Sequence, residues 1–324
     1  MSNIFTTSVK TSAGDGNLRR FGLLAFGDPN LDTVIAVDAV PRADQKCLGR
    51  RLDAFAGGTV ANVACAASRL GVAAASYGRI GADTAGEFLR AEFQRAGVTT
   101  AYLRSMPGKV SANALIMLDK SGEKAVVYEP MPGPALDPET ISQALVDSRM
   151  VHAMPYDLEE FVELSKLAHS AGTAVSIDIE TAMVNGPAGL DALLALSDLV
   201  FMNQRSFSDI LKKLPTAANV RQLLERGPSM VVVTRGAAGA IAVSRKQMVE
   251  QSAFRTQVVD TTGAGDCFNG AFIAALLEGR SLMQATRFAC AAASISVTAV
   301  GARSGLPDRE AVSALLAADQ LPDY

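Results

Sequence analysis

The chain has 324 residues, a formal net charge of -3 and 49% hydrophobic residues, which is enough for one large globular domain with a buried core. Lys and Arg do not exceed Asp and Glu, so the charge gives no support for a nucleic-acid partner. No apolar run reaches the about 18 residues of a membrane span, so we expect no membrane partner. Residues 1–20 are polar and lack a signal-peptide core, so we predict a flexible tail over 1–20, one domain over 21–324, and a cytoplasmic location.

Several common kinds of site have no support in the sequence. The four cysteines are widely spaced and form no CxxC pair, which argues against a metal or disulfide framework. The two histidines, His152 and His169, do not belong to a recognisable nucleophile motif with a serine and a carboxylate, so a hydrolase triad is not supported. No Gly-x-Gly-x-x-Gly follows the first predicted strand and no Gly-Lys-Ser/Thr loop is present, which argues against nicotinamide and P-loop nucleotide sites.

Short β-branched runs alternate with helical patterns along the chain, which predicts a mostly parallel sheet with helices on both faces, an α/β fold. In chain order we predict strand 23–26, helix 59–70, strand 73–77, helix 84–96, strand 150–153, helix 158–171, strands 174–177 and 199–202, a helix ending near 226, strand 230–234, and helices within 267–278 and 282–297. Two segments, 33–52 and 101–128, instead alternate in polarity and predict β-hairpins.

The segment from Asp260 to Asp266, with the sequence DTTGAGD, comes directly before the apolar helical pattern that starts at Cys267. Two glycines around an alanine at a helix start leave backbone N–H groups open to an anion, which the helix dipole also favours. Asp266 falls in the first turn, where a carboxylate beside an anion is unfavourable unless it removes a proton from an attacking hydroxyl. The segment therefore predicts a phosphoryl-transfer site. A Gly-rich turn with an ordinary helix-start aspartate is the alternative interpretation.

Four segments, in one order, carry a resemblance to a known family. They are GDPNLD at 27–32, FAGGTVANVA at 55–64, DTTGAGDCFNGAF at 260–272 and GARSGLP at 301–307. Together they resemble the ribokinase-like (PfkB) carbohydrate and nucleoside kinases, over a stretch from residue 21 to the C-terminus. The resemblance implies a ribokinase-like, mostly parallel sheet with helices on both faces. It also implies that residues of about 33–52 and 101–128 form a small β-sheet lid over the sugar site, shared across a homodimer.

The family's motifs imply roles for individual residues on the acceptor side. Asp266 is implied to be the base, and Gly263, Ala264 and Gly265 the anion hole that steadies the transferring phosphoryl group. The implied acceptor ligands are Asn30, Asp32, Gly57, Gly58, Asn62 and Asn113. A carboxylate can bind two neighbouring hydroxyls, and glycines let the backbone approach a substrate closely. Alternation places Ser111 and Asn113 on one face of the lid strand, with a solvent-facing edge as the alternative.

The residues predicted to contact the nucleotide match the family's motifs less completely than those predicted to contact the acceptor. The implied ATP contacts are Asn203, Thr234, Arg235, Gly236 and Gly265, although Arg235 is equally interpretable as a solvated side chain. The family's Asn-x-x-Glu motif reads NQRS from Asn203, so the glutamate that helps order Mg²⁺ is absent. Asp178 and Glu180 are candidate replacements for Mg²⁺, and Asp260 and Thr262 are candidates for a monovalent cation such as K⁺.

The acceptor is the least determined part of the prediction. The segment 109–123 is similar to the corresponding part of fructose and sulfofructose kinases. The chain has no Trp and only 6% aromatic residues, so it offers few side chains on which a nucleoside base could stack. We therefore predict an ATP- and Mg²⁺-dependent kinase of a small carbohydrate hydroxyl, on a ketose such as fructose. The segment 28–32 is also close to the adenosine kinase opening, so a nucleoside kinase of adenosine or pseudouridine type is the alternative. A non-catalytic relative that binds nucleotide or sugar, suggested by the absent glutamate, is the third hypothesis.

Overall fold

The computed structural model describes residues 19–120 and 123–319. The tail predicted over residues 1–20 lies outside the described residues except for its last two. Arg19 belongs to the folded domain, because its guanidinium donates to Thr173 Oγ1 at 2.8 Å and to Ala171 O at 2.6 Å, and also contacts Ser148 O. The folded part of the chain therefore begins before the predicted boundary at residue 21.

The described strands form two sheets. In chain order they are β1 Phe21–Phe26, β2 Asn30–Val37, β3 Gly49–Gly57, β4 Ala74–Gly81, β5 Thr99–Met106, β6 Ala112–Leu118, β7 Lys124–Glu129, β8 Ser148–Ala153, β9 Ala174–Ile179, β10 Leu199–Asn203, β11 Met230–Thr234, β12 Ala240–Ser244 and β13 Met248–Gln251. The large sheet has the order β13-β12-β11-β10-β9-β8-β1-β4-β5. It is parallel from β11 to β5 and antiparallel at β12 and β13, a hairpin that the sequence analysis did not predict.

Helices cover both faces of the large sheet, as predicted. They are α1 Thr59–Arg69, α2 Thr84–Arg95, α3 Pro138–Val146, α4 Leu158–Ser170, α5 Gly186–Ala195, α6 Gln204–Leu211, α7 Ala217–Arg221, α8 Ala264–Leu277, α9 Leu282–Ser296 and α10 Arg309–Ala318. Successive β1 residues alternate between two cores: Leu23 packs with α1, α8 and α9, and Leu24 packs with α3, α4 and α5. Both faces of the central strands are therefore buried, which explains their unbroken apolar sequences. Among the described residues, no helix is both long and apolar enough to cross a bilayer.

The small sheet has the order β3-β2-β6-β7, with β2 and β6 parallel and the two outer pairs antiparallel. It begins at Asn30 and reaches Gly57, so it extends beyond the predicted segment 33–52 into both N-terminal motifs. Residues 101–106 do not belong to it, contrary to the prediction, because they lie in β5 and pair with β4 at the edge of the large sheet. An exposed edge strand alternates in polarity just as a hairpin strand does, which accounts for the wrong assignment.

The two helices that follow the glycine motifs, α1 and α8, pack directly against each other. Both are almost entirely buried, as expected for helices that are apolar on all sides. Their contact depends on Gly270, where a Cβ would lie 2.7 Å from both Ala66 Cβ and Val63 O. This close approach brings the first turn of α8 beside the first turn of α1.

We expect Gly270→Ala to destabilise the fold by about 1–3 kcal/mol, because the added methyl group must push α1 and α8 apart. Gly189→Ala in α5 is the matched control, since its Cβ would meet only Asn185 Cβ at 3.8 Å. The control should keep or slightly raise stability, because alanine favours helix over glycine. Chemical denaturation of both variants measures the difference, and equal stabilities would contradict the importance of the contact.

Candidate active site

A cavity of about 540 Å³ lies at the carboxyl ends of β1 and β8, beside the first turns of α1 and α8. This is the edge of a parallel sheet at which α/β proteins bind their ligands. The small sheet borders the cavity through Ala114, Val126 and Tyr128. Seven of the predicted site residues line the cavity: Asn30, Asp32, Gly58, Asn62, Thr262, Gly263 and Asp266.

The carboxyl group of Asp266 faces the cavity from the first turn of α8. Its Oδ2 accepts a hydrogen bond of 2.7 Å from Asn62 Nδ2, across the α1–α8 contact. Asn62 Oδ1 in turn accepts from Arg303 Nε at 2.8 Å. Two residues from distant parts of the chain, Asn62 directly and Arg303 through Asn62, therefore hold this carboxyl group in a fixed orientation.

Burial raises the pKa of Asp266 to about 7. The negative charges of Asp178 and Glu180 push this pKa in the same direction, whereas the hydrogen bond from Asn62 and the charge of Arg303 oppose the rise. A carboxyl group with a pKa close to neutrality is well matched to accept and release a proton at physiological pH.

The N-terminus of α8 is open to an anion. Gly263 precedes the helix with φ 74°, a left-handed conformation that favours glycine, and no side chain of the described residues caps the helix. A Cβ on Gly263 would also lie 2.6 Å from Ala302 Cβ. The N–H of Ala264 donates to Thr261 O at 3.2 Å, so the next amides, those of Gly265 and Asp266, begin the free helix end. Gly265 is exposed there, with open space around the position of a Cβ.

Asn30 and Asp32 project from the start of β2 into the cavity. Asn30 Nδ2 donates to Asp32 Oδ1 at 2.6 Å, so the pair presents one polar surface. Burial raises the pKa of Asp32, against opposing effects of Asn30, Arg303 and Lys124. Gly57 faces Asp32 from β3, where a Cβ would overlap the carboxylate. This contact explains why the first residue of the double-glycine motif, Gly57–Gly58, has no side chain.

Asn113, which is predicted to be an acceptor ligand, does not line the cavity. β6 pairs with β2 so that Ala114 lies beside Asp32, and both line the cavity. Asn113 lies one residue away, on the opposite face of the strand, and its Oδ1 accepts from Thr33 Oγ1 at 3.3 Å. Ser111 is buried and donates to Asp83 Oδ1 at 2.7 Å, which serves the start of α2.

The predicted nucleotide contacts lie along the same sheet edge but outside the cavity. Asn203 and Thr234 are register partners at the carboxyl ends of β10 and β11. Asn203 Oδ1 accepts from Ser206 N at 2.8 Å and so caps α6. Arg235 contacts Glu250 of β13 at 3.3 Å, and exposed Gly236 follows it in the turn to β12. The structure brings these four together at one edge, between the cavity and the end of the sheet.

Asp178 lies near the carboxyl end of β9 and Glu180 directly follows this strand, which lies between these nucleotide candidates and the cavity. Asp178 Oδ2 accepts from Asn269 Nδ2 at 2.8 Å, and burial raises the pKa of Asp178 to about 6, with the charge of Glu180 adding to the rise. Glu180 Oε2 accepts from Tyr156 OH at 3.1 Å. Within the described ranges, no group of three or more His, Cys, Asp or Glu side chains is placed to hold a metal ion.

Asp260, a candidate for binding a monovalent cation, accepts hydrogen bonds from two loops, one at Thr262 and one at Gly301. Its carboxylate accepts from Thr262 N at 2.9 Å, Thr262 Oγ1 at 2.7 Å and Gly301 N at 2.8 Å. Burial acts to raise the pKa of Asp260, but these hydrogen bonds outweigh it and the pKa is lowered. The segment from Asp260 to Gly263 is thereby fixed to Gly301, the first residue of the motif GARSGLP at 301–307, which we call the closing motif.

Sequence reasoning missed two groups at this site. The first is an ion pair between Arg79 and Asp28 at 2.7 Å, both about nine-tenths buried, in which Arg79 also donates to Pro132 O at 2.9 Å. It shapes the loop that closes one end of the cavity. The second is Arg303, in the motif GARSGLP at 301–307, whose guanidinium donates to Asn62 Oδ1 at 2.8 Å. Neither contact is recognisable from the neighbouring sequence, because each depends on partners at least 50 residues away along the chain.

A doubly covered parallel sheet, an anion site at a helix start and a buried carboxyl group beside it together define a phosphotransferase of the ribokinase-like fold. A family model described as pfkB family carbohydrate kinase matches residues 22–309. The chain belongs to this family, whose members transfer a phosphoryl group to an alcohol acceptor.

Individual relatives agree with the family assignment. A ribokinase of Haemophilus influenzae is 30% identical over 296 residues, covering 89% of this chain and 96% of the relative. A nucleoside kinase of Methanothermobacter thermautotrophicus is 29% identical, covering 88% and 92%. The structure of Arabidopsis thaliana ribokinase complexed with ribose and ATP aligns with a TM-score of 0.80 and 27% identity, covering 91% of this chain and 98% of that one. This chain is therefore a sugar or nucleoside kinase of the ribokinase family.

Proposed function

We propose that this protein transfers the γ-phosphoryl group of ATP to a hydroxyl of a small carbohydrate, with Asp266 as the base. The observation that carries the proposal is the carboxyl group of Asp266, held by Asn62 beside the open N-terminus of α8 and facing the cavity. The family membership and the structural likeness to a ribokinase with bound ribose and ATP support the same reaction.

In the proposed reaction, Asn30 and Asp32 bind acceptor hydroxyls and orient the reacting one towards Asp266. Asp266 takes the proton as the hydroxyl oxygen attacks the γ-phosphorus. The bond from phosphorus to the β–γ bridging oxygen then breaks, and ADP leaves with that oxygen. The free amides at the start of α8 stabilise the charge on the transferring group. Asn203, Thr234, Arg235 and Gly236 bind the rest of the nucleotide at the ends of β10 and β11.

The carboxylates at the end of β9 fit a Mg²⁺ ion that arrives with ATP. Mg²⁺ is usually held by one or two carboxylates together with phosphate oxygens and water, not by a complete protein cage. Glu180 and Asp178 supply such a pair between the nucleotide candidates and the cavity. The ion would neutralise charge on the phosphates. Binding of K⁺ beside Asp260 and Thr262 stays a prediction.

Two acceptor classes fit the cavity, and the sugar is our first choice. The relatives include ribokinases and a nucleoside kinase, so ribose joins the predicted ketoses, such as fructose, as an acceptor to test. A specific observation favours the nucleoside alternative: beyond the polar pair Asn30–Asp32, the cavity is lined by Phe26, Tyr156 and Phe161. These aromatic side chains are able to pack against a base.

We propose further that the small sheet mediates a homodimer. Among the described residues, no strand pairs with the outer edge of β7, and this strand carries exposed apolar side chains, with Val126, Val127 and Tyr128 each about half exposed. An exposed apolar edge strand on a folded protein favours pairing with another chain. A second copy of this chain is the occupant that we propose.

We expect Asp266→Asn to lower turnover by about 10²- to 10⁴-fold, because the amide cannot take the proton. ADP release from MgATP is measured for wild type and variant with ribose, fructose, other ketoses, sugar acids, sugar phosphates and nucleosides. Turnover with one sugar class identifies the acceptor, and turnover with nucleosides alone overturns our first choice. A wild-type protein that binds ATP but converts no acceptor would support the non-catalytic hypothesis.

The pH dependence of kcat/KM tests Asp266 independently. The group must be ionised to act as a base, so activity is full above its pKa of about 7 and lost below it. We expect a fall of about tenfold per pH unit on the acid side, with a midpoint near neutrality. An acid limb with its midpoint near the ordinary aspartate range would contradict a base in this buried environment.

For the dimer, we expect sedimentation to show two copies for the wild type and a monomer for Val127→Lys. Val127 is exposed on β7 and does not line the cavity, so a charge there opposes pairing without entering the site. Glu129→Lys, on the same strand, controls for charge alone. A monomeric wild type at micromolar concentration would contradict the proposed dimer.

A further inference from the structure

Arg303 connects the closing motif of the chain to the proposed base. Its Nε donates to Asn62 Oδ1 at 2.8 Å and its Nη2 donates to Gly57 O at 2.9 Å. Asn62 Nδ2 donates to Asp266 Oδ2 at 2.7 Å. One guanidinium therefore contacts both the double-glycine turn and the amide that holds the base.

The direction of these hydrogen bonds is fixed by Arg303. A guanidinium has only donors, so the Asn62 atom that faces it must be the carbonyl oxygen. The NH₂ group of Asn62 is then directed at Asp266, whose ionised carboxylate only accepts. Without Arg303, the amide of Asn62 is free to turn, and a carbonyl oxygen facing the carboxylate would repel it.

Asn62 occupies only one oxygen of the carboxyl group. Among the described residues, none donates to Asp266 Oδ1, and Asp266 lines the cavity. We infer that Arg303 is a positioning residue: through Asn62 it engages Oδ2 of Asp266 and so reserves Oδ1 for the proton of the acceptor hydroxyl. The inference rests on the proposed kinase function.

Two features indicate that Arg303 is held in place for this purpose. Its guanidinium lies over the ring of Phe93, 5.4 Å from the centroid, which limits its movement. Its Nη1 is buried and has no hydrogen-bond partner among the described residues. A buried donor without a partner destabilises the fold. The hydrogen bonds of Nε and Nη2 are therefore kept although they leave Nη1 without a partner.

Arg303 also balances the charges that face Asp266. Asp178 and Glu180 raise the pKa of Asp266, and Arg303 lowers it together with the hydrogen bond from Asn62. Burial raises the pKa of the neighbouring Cys267 thiol to about 12, with the charge of Asp266 adding to the rise and a hydrogen bond with Ser296 opposing it. Loss of Arg303 removes the positive charge and loosens the Asn62 hydrogen bond, and both changes raise the pKa of Asp266.

The test compares Arg303→Ala and Arg303→Lys with Arg69→Ala. Arg69 is the matched control, because its Nε holds the same closing segment through Leu306 O at 2.9 Å without touching Asn62. We expect Arg303→Ala to lower kcat by about 10- to 100-fold, as for other residues that orient a reacting group. The acid limb of its kcat/KM profile should move to higher pH, and added guanidinium ion should restore part of kcat. The KM for ATP should stay within about twofold, since Arg303 does not contact the nucleotide edge.

Arg303→Lys keeps the positive charge but lacks the fixed fork of donors. It should therefore keep the acid limb near the wild-type pH while kcat falls. Thermal unfolding of each variant confirms that the protein compared is folded. If Arg303→Ala and Arg69→Ala lose activity equally, with unmoved acid limbs and no guanidinium rescue, Arg303 only anchors the closing segment and the inference is wrong. A wild type without turnover would instead overturn the proposed function, before any variant is compared.

Discussion

The site depends on the contact between α1 and α8. The two helices begin at the two glycine motifs, and they approach closely only because residue 270 has no side chain. That approach places the amide of Asn62 within 2.7 Å of the carboxyl group of Asp266. A wider helix spacing would leave the carboxyl group without its donor. Packing in the apolar core thus sets the geometry of the polar site at its end.

The order of strands places the candidate ligand-binding residues side by side along one edge of the sheet. From β11 through β10, β9 and β8 to β1, the carboxyl ends carry the nucleotide candidates, the acidic pair and then the cavity. Neighbouring parallel strands end about 4.8 Å apart. A nucleotide laid along this edge would therefore bring its phosphates towards the start of α8 and the acceptor hydroxyl.

The sequence allowed much of this arrangement to be predicted. Alternating apolar runs and helix-ending glycines located the core strands and helices, and the family resemblance placed Asp32, Asn62 and Asp266, which the structure brings to one cavity. Strand pairing was harder to predict, because residues 101–106 have the same alternating pattern in either sheet. The face of Asn113 and the contacts of Arg79 and Arg303 depend on distant partners, about which a local pattern carries no information.

The closing motif has a consequence for how the protein is made. Gly301 binds Asp260, and Arg303 binds Gly57 and Asn62, more than 200 residues earlier in the chain. Such distant contacts form slowly, and during synthesis they must wait until residues 301–303 have left the ribosome. A nascent chain that has not reached residue 301 therefore lacks the contacts that hold Asp260, Gly57 and Asn62. Formation of the candidate site is thereby linked to synthesis of this motif, and its geometry is set only after the chain has been made through Arg303.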